Sequence, residues 1–209
     1  MKIIINLLLI TFSLFAQNLN IISKPIIFDS QRIELTKKYI KQHYNKSVSD
    51  IIITPKIIVV HHTAIDDFNA SFNRFYKPLL PTDRADIAKA SALNVSTHFL
   101  VSRDGKVYQL MQDNIMARHV IGLNYNSIGI ENVGGRDLKL TSAQLHANTM
   151  LIAYLKNKYS TINYVIAHSE YQAFENSPLW LEHDKGYRTV KHDPSQKFMS
   201  DLRHLLNEN

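Results

Sequence analysis

The sequence predicts a single α/β domain, a central mixed β-sheet flanked by helices. Three observations predict it. Short apolar runs that suit buried strands alternate with segments of helical periodicity. One Asp-Gly pair between alternating apolar runs marks an antiparallel hairpin within that alternation. The chain has 209 residues, 45% of them apolar and 20% charged, enough for one sizeable core of ordinary globular composition.

The first element is a secretory signal at residues 1–16. Lys2 gives a positive start, residues 3–15 are almost wholly apolar, and Ala16 offers a small residue for cleavage. The stretch is shorter than the roughly 20 residues a spanning helix needs, so export and cleavage are expected over membrane anchoring. An extended leader over residues 17–29 follows, and residues 30–209 form the domain. Ser30 is placed to cap a helix ending about Tyr44, with Ile33, Ile40 and Tyr44 on one face. The continuous apolar run 57–60 suits a buried strand. Residues 67–76 suit a short helix that Pro78 and Pro81 end.

Residues 97–101 and 107–111 flank "RDGK" as the two arms of the hairpin. Residues 127–133 suit another strand, with Ile128 and Ile130 on one face and Gly129, Glu131 and Val133 on the other. Thr141 and Gln144 spell a capping box for a helix to Tyr159, whose apolar face carries Leu145, Ile152, Leu155 and Tyr159. A strand at 163–167 leads to His168. Residues 170–188 form a polar and aromatic loop holding Tyr171, Phe174, Trp180 and Tyr187, expected to pack as a satellite core along one wall of a groove. Pro194 suits the first turn of a last helix with Phe198, Leu202 and Leu205 at core spacing.

Cysteine is absent, so any metal must be held by His, Asp or Glu. Two histidines and an aspartate stand at strand ends and loops, where ligands gather in α/β sheets: His61 or His62 after "IIVV", His168 after "YVIA", and Asp193 in "KHDP". Alternation in a strand lets only one of His61 and His62 face a given site. Two neutral imidazoles, one carboxylate and an open fourth position make a catalytic zinc arrangement, which points to a metallohydrolase. Any one of these histidines alone would suit a hydrogen-bonded structural role; three separate candidates favour the metal.

Glu131 interrupts a strand that is otherwise apolar or small. A carboxylate there needs a partner or a cleft, and it suits a general base acting on water. Lys191, two residues before Asp193 in an extended segment, shares its face and suits an oxyanion partner. The net charge of +6, or +5 without Lys2, would draw an exported protein towards anionic polymers. Nucleic acid is not expected, because no dense basic stripe is interleaved with aromatics.

The strings "IIVVHHTA", "STHFLVSRDGKVYQL", "ARHVIGLNYNSIGIENVGG", "LTSAQLHA", "VIAHSE" and "KHDPSQKF" together resemble the type 2 N-acetylmuramoyl-L-alanine amidases, over about residues 57–206. That family shares its fold with the peptidoglycan recognition proteins. The resemblance implies a mixed sheet with a groove over one face and a zinc site at its strand ends. It maps the zinc ligands onto His61, His168 and Asp193, and the family lysine onto Lys191. A catalytic tyrosine of some members falls on Thr97 here. AmiD-like members instead use a glutamate, which falls on Glu131. His119 matches a groove histidine, and Asn126 and Trp180 are further candidates for contact with substrate.

The function so implied is zinc-dependent hydrolysis of the amide between N-acetylmuramic acid and L-alanine, in peptidoglycan or muropeptides. The enzyme is expected to be exported, periplasmic or cell-wall associated, not stably inserted in a membrane, and monomeric. The alternatives are a peptidoglycan-binding module without catalysis and a zinc peptidase acting on the stem peptide.

Overall fold

A computed structural model of the chain describes residues 19–207. The expected signal at residues 1–16 therefore lies outside the described residues. Six strands form one sheet: β1 Ile21–Ser23, β2 Ile57–His62, β3 Phe99–Val101, β4 Val107–Gln109, β5 Ser127–Asn132 and β6 Tyr164–Ala167. Five helices accompany them: α1 Ser30–Tyr44, α2 Phe68–Tyr76, α3 Ala85–Ala88, α4 Ser142–Lys158 and α5 Gln196–Leu205. The strand order is β1-β4-β3-β5-β2-β6. Only the β3–β4 hairpin is antiparallel; the other four pairings are parallel. This is the mixed sheet that the alternation of runs and the single Asp-Gly turn predict.

Side-chain alternation divides the core between the two faces of the sheet. On one face Ile58, Val60, Ile128 and Ile130 pack with Leu151, Ile152 and Leu155 of α4 and Phe198 and Leu202 of α5. On the other, Ile57, Val59 and Ile166 pack with Val120, Leu123 and Tyr171. The capping box of α4 forms as expected: Gln144 N–H donates to Thr141 Oγ1 at 3.1 Å, and Thr141 N–H donates to Gln144 Oε1 at 3.0 Å. Its buried face is broader than the apolar periodicity indicates, taking in Leu151 and the polar Gln144 and Asn148 as well as Ile152 and Leu155.

Several elements differ from expectation. The leader is extended but not free, since β1 within it adds a parallel edge strand to β4. Asp29, not Ser30, caps α1, because its carboxylate reaches Arg32 N–H at 3.0 Å. The buried face of α1 is polar and aromatic: Arg32, Thr36, Tyr39, His43 and Tyr44 join Ile40 there. Pro194 precedes the cap of α5, which is Ser195, through a cis Asp193–Pro194 bond. The short α3 carries no apolar periodicity in the sequence.

Arg32 ties α1 to the rest of the fold. It donates from Nε to the Ile27 carbonyl at 2.6 Å and from one terminal nitrogen to the Phe75 and Tyr76 carbonyls at 3.0 and 3.2 Å. The last two are at the C-terminal end of α2, where a cation also meets the helix dipole. Burial lowers the guanidinium to about 10, which leaves it charged at neutral pH. Replacing it with leucine strands buried carbonyls at about 1–3 kcal/mol each, less what water recovers. Arg32→Leu is therefore expected to lower stability by about 2–3 kcal/mol in urea unfolding; an unchanged midpoint would show that α1 docks through its apolar residues alone.

Candidate active site

The parallel pairing of β5, β2 and β6 brings their C-terminal ends together. His61 lies opposite Glu131 in register, and Val60 lies opposite Ala167, the residue before His168. The outer crevice at the carboxyl ends of parallel strands is the usual site position in α/β sheets. The end of β2 is held by a buried amide relay: Asn148 of α4 donates to Asn132 Oδ1 at 2.7 Å, and Asn132 donates to the His61 carbonyl at 3.0 Å.

Asp193 reaches the same place from the loop before α5. Ser169 N–H donates to the Asp193 carbonyl at 2.9 Å. The returning chain is fastened upstream, where Tyr171 Oη donates to the Thr189 carbonyl at 2.7 Å and accepts from its N–H at 3.0 Å. Glu170 caps the turn at His168 by accepting from Ala167 N–H at 2.8 Å, and Arg203 of α5 holds that carboxylate.

The side chains of His61, His168 and Asp193 present ligand atoms within 4.8 Å of one another. His168 Nδ1 lies 3.1 Å and His61 Nδ1 3.4 Å from the same oxygen, Asp193 Oδ2. Tetrahedral ligands around zinc stand roughly 3–4 Å apart, so this spacing fits a first-row divalent cation. The protonation states fit as well. Burial, reinforced by the neighbouring His168, lowers His61 to about 4, so it is neutral at neutral pH. Burial alone would raise Asp193, but the opposing effects, led by its hydrogen bond with His168, outweigh burial and hold it well below the ordinary carboxylate range. A bare imidazole and a carboxylate are the forms that metals bind.

His62 leaves the other side of the strand, and its ring packs where a Gly135 side chain would be, 2.2 Å from an added Cβ. Gly135 has φ +92° besides, so glycine is required there twice over.

A cleft of about 530 Å³ opens over the cluster, with His168, Asp193, Glu131, Lys191 and His119 in its lining. Glu131 is 9% exposed, and its Oε2 is buried without a hydrogen-bond partner in the protein. Burial and then the Asp193 charge raise it well above the usual carboxylate range, while Lys191 opposes them. Arg74, Arg84 and Arg118 also line the cleft. Arg118 is held by main-chain carbonyls of Ile87, Ser91 and Leu93, and Arg74 pairs with Asp83 at 2.7 Å. Local sequence patterns give no sign of these arginines, because three separate segments supply them.

The other candidates have different surroundings. Thr97 is fully buried and donates to the Gly129 carbonyl at 2.9 Å. His98 is fully buried; its Nδ1 accepts from Gly129 N–H at 2.9 Å and its Nε2 faces the Ile115 carbonyl at 2.8 Å. Asn126 donates to the Leu179 carbonyl at 2.7 Å. Trp180 donates to the Glu182 carbonyl at 3.1 Å and covers Gly122, where a Cβ would meet its ring at 2.6 Å. Neither Asn126 nor Trp180 lines the cleft. The aromatics of the loop pack against the sheet with Ile121 and Ile166, and Tyr187 and Thr189 near its end line a small cavity that shares His168 and Lys191 with the cleft.

The family model for N-acetylmuramoyl-L-alanine amidases, Amidase_2, matches residues 53–196. The endolysin of Escherichia phage T7 is 37% identical over 73 residues, 32% of this chain and 48% of that protein. The endolysin of Klebsiella phage KP32 is 36% identical over 74 residues, 32% and 49% of the two chains. The chain thus spans about half the length of these curated relatives. A peptidoglycan-recognition protein of Drosophila melanogaster is 26% identical over 127 residues, 59% of this chain and 68% of its own. Among solved structures, the N-acetylmuramoyl-L-alanine amidase LysC from Clostridium intestinale URNW has a TM-score of 0.56 at 18% identity, over 91% of this chain and 99% of that one, a likeness of fold. A selenomethionine derivative of AmpD has a TM-score of 0.52 at 25% identity, over 73% and 85%.

Buried neutral histidines make the metal-free chain acid-sensitive. Burial lowers His98 from the ordinary 6.5 to about 4. Between those values the unfolded chain takes up a proton that the folded chain refuses, so stability is full above about pH 6.5 and falls as pH drops towards 4. His98 alone should cost roughly 3 kcal/mol over that window. Urea unfolding in a chelator near pH 7 and about pH 4.5 checks this; the loss should shrink in His98→Gln, and an equal loss in that variant would assign the effect elsewhere.

Proposed function

The chain belongs to the N-acetylmuramoyl-L-alanine amidase family, and from that premise we propose that it is a zinc hydrolase cutting the amide between the lactyl group of N-acetylmuramic acid and L-alanine. The observation that carries this reading is the convergence of His61, His168 and Asp193 beneath a cleft that Glu131 and Lys191 also line. The cationic side chains around the cleft suit a stem peptide rich in carboxylates. Cleavage near Ala16 and export to the cell wall belong to the same reading, since the substrate is a wall polymer or its fragments.

His61, His168 and Asp193 would hold the ion. When bound, zinc supplies Lewis acidity, drawing charge from the scissile carbonyl and acidifying water beside it. Glu131, its Oε2 free of protein partners, takes a proton from the attacking water. Burial and the Asp193 charge favour the protonated form; Lys191 and Arg84 oppose them, and a cation held by His61, His168 and Asp193 would offset the Asp193 charge and favour the ionised Glu131 that this needs. The water oxygen bonds to the carbonyl carbon, the carbon–nitrogen bond breaks, and Glu131 returns its proton to the departing alanine nitrogen. Lys191 meets the negative charge that grows on the carbonyl oxygen before that bond breaks.

Mass spectrometry of muropeptides after incubation with the zinc-loaded protein tests the reading. A free lactyl carboxylate on the glycan and a peptide beginning at alanine are expected, with loss of both on chelation. Cuts within the stem peptide would make it a peptidase. Binding without any cut would make it a recognition module, the reading that the Drosophila relative favours.

Glu131→Gln keeps the shape and removes the base. Turnover is expected to fall by about 10²–10⁴-fold at unchanged zinc content; near-normal hydrolysis would move the base elsewhere. Lys191→Met should lower kcat more than it raises KM, because its charge partner exists only in the transition state. A raised KM at unchanged kcat would make Lys191 a docking residue.

A further inference from the structure

Behind the three ligands runs a line of hydrogen bonds with only one consistent direction. It starts at Ser127, whose hydroxyl lies 2.9 Å from the Leu123 carbonyl and 3.2 Å from His119 Nε2. A carbonyl can only accept, so the one hydroxyl hydrogen goes to Leu123. Ser127 Oγ must then accept from His119, which places a hydrogen on His119 Nε2. The ring of His119 stands beside those of His61 and His98, at 5.1 and 5.8 Å, and its two nitrogens face an imidazole and a hydroxyl, with no carboxylate at either to balance a charge, so the geometry suits the neutral ring. Its Nδ1 is therefore bare, and it lies 3.0 Å from His61 Nε2. His61 must donate there. A neutral His61 with its hydrogen on Nε2 has a bare Nδ1, the atom that faces Asp193 and His168.

We propose that His119, oriented by Ser127, is a positioning residue that locks His61 in the Nε2–H tautomer and so presents the Nδ1 lone pair to the metal. The proposal rests on the zinc reading above for its purpose, but not for its geometry. Two acceptors, His61 Nδ1 and Asp193 Oδ2, face each other at 3.4 Å, an arrangement that a cation between them would relieve.

The surroundings are built to hold this ring. Main-chain N–H groups of His119 and Val120 both donate to Asn124 Oδ1, at 2.8 and 2.7 Å. Gly129 leaves the space in which the ring stands: a Cβ there would lie 2.8 Å from His119 Cγ and 2.9 Å from its Nδ1. Thr97 and His98 fix the Gly129 main chain through its carbonyl and its N–H. His119, expected from the sequence to touch substrate, thus has both ring nitrogens engaged within the protein.

Long-range proton–nitrogen correlation spectra of the ¹⁵N-labelled, metal-free protein report each histidine tautomer. His61 is expected with hydrogen on Nε2 and a bare Nδ1; hydrogen on Nδ1 overturns the proposal whatever the variants do. Zinc affinity, measured by competition with a chromophoric chelator, should fall about 10–100-fold in His119→Ala, the usual effect of losing a ligand's hydrogen-bond partner. The His61 signals of that variant should show a mixture of tautomers. His119→Asn puts an amide oxygen near the position of Nδ1 and should recover most of the affinity. Equal weakness of the Asn and Ala variants would reduce His119 to a space-filler and overturn the proposal. Ser127→Ala should weaken zinc binding less than His119→Ala while disturbing the His119 tautomer; unchanged His119 signals would break the line at its start. A wild-type protein that binds no zinc at all would refute the zinc reading, while the His61 tautomer would still decide the geometry.

Discussion

The site depends on one constraint, the shared register of three parallel strands. β2 lies between β5 and β6, and its residues Ile57 to Val60 are completely buried on both faces. A slip by one residue would turn every side chain of the strand to the opposite face. It would exchange His61 for His62 at the site and drive Ile58 and Val60 out of their packing with α4. The stability of the sheet core therefore fixes which histidine meets His168 and Asp193, and Glu131 follows because it is the cross-strand partner of His61. His168 follows the last rung of the ladder directly, while Asp193 comes from a separate loop that hydrogen bonds from Ser169 and around Tyr171 bring back.

Around this ladder the interior is unusually polar. His61, Thr97, His98, Asn124, Ser127, Asn132 and Asn148 are nearly or fully buried, and each has a partner within hydrogen-bond or ion-pair distance. Satisfied networks in a low-dielectric interior are directional in a way that apolar packing is not. Here they fix where β2 ends, where the loop at His119 sits and which nitrogens carry hydrogen. The same interior keeps His61 and His98 neutral at neutral pH.

The N-terminal helix belongs to this arrangement although it adds no residue to the metal cluster. Arg32 fastens it to the end of α2. Further along, His43 lies 3.0 Å from the Glu182 carboxylate in the aromatic loop and 2.9 Å from the Ala90 carbonyl between α3 and β3. Its main-chain carbonyl accepts from His183 N–H at 2.9 Å. The aromatic loop is thus pinned from two sides, by α1 and by the sheet, and the chain leaving it arrives at Lys191 and Asp193 in a set place.

The sequence by itself determined the fold class, the hairpin, the capping box of α4 and the candidates His61, His168, Asp193, Glu131 and Lys191. These were legible because they rest on local rules: alternation in strands, turn chemistry and the few residue types that can hold a metal without cysteine. Its periodicity caught Ile40 and Tyr44 of the packed face of α1 but not Arg32, Thr36, Tyr39 and His43, because apolar spacing cannot register buried polar groups with distant partners. Nor could spacing choose between His61 and His62; the register of β2 with β5 and β6 did. The partner of His61 Nε2 was equally out of reach, because His119 meets it across 58 positions. Only the tertiary structure joins them, by crossing a loop held by Asn124 over the bare backbone of Gly129.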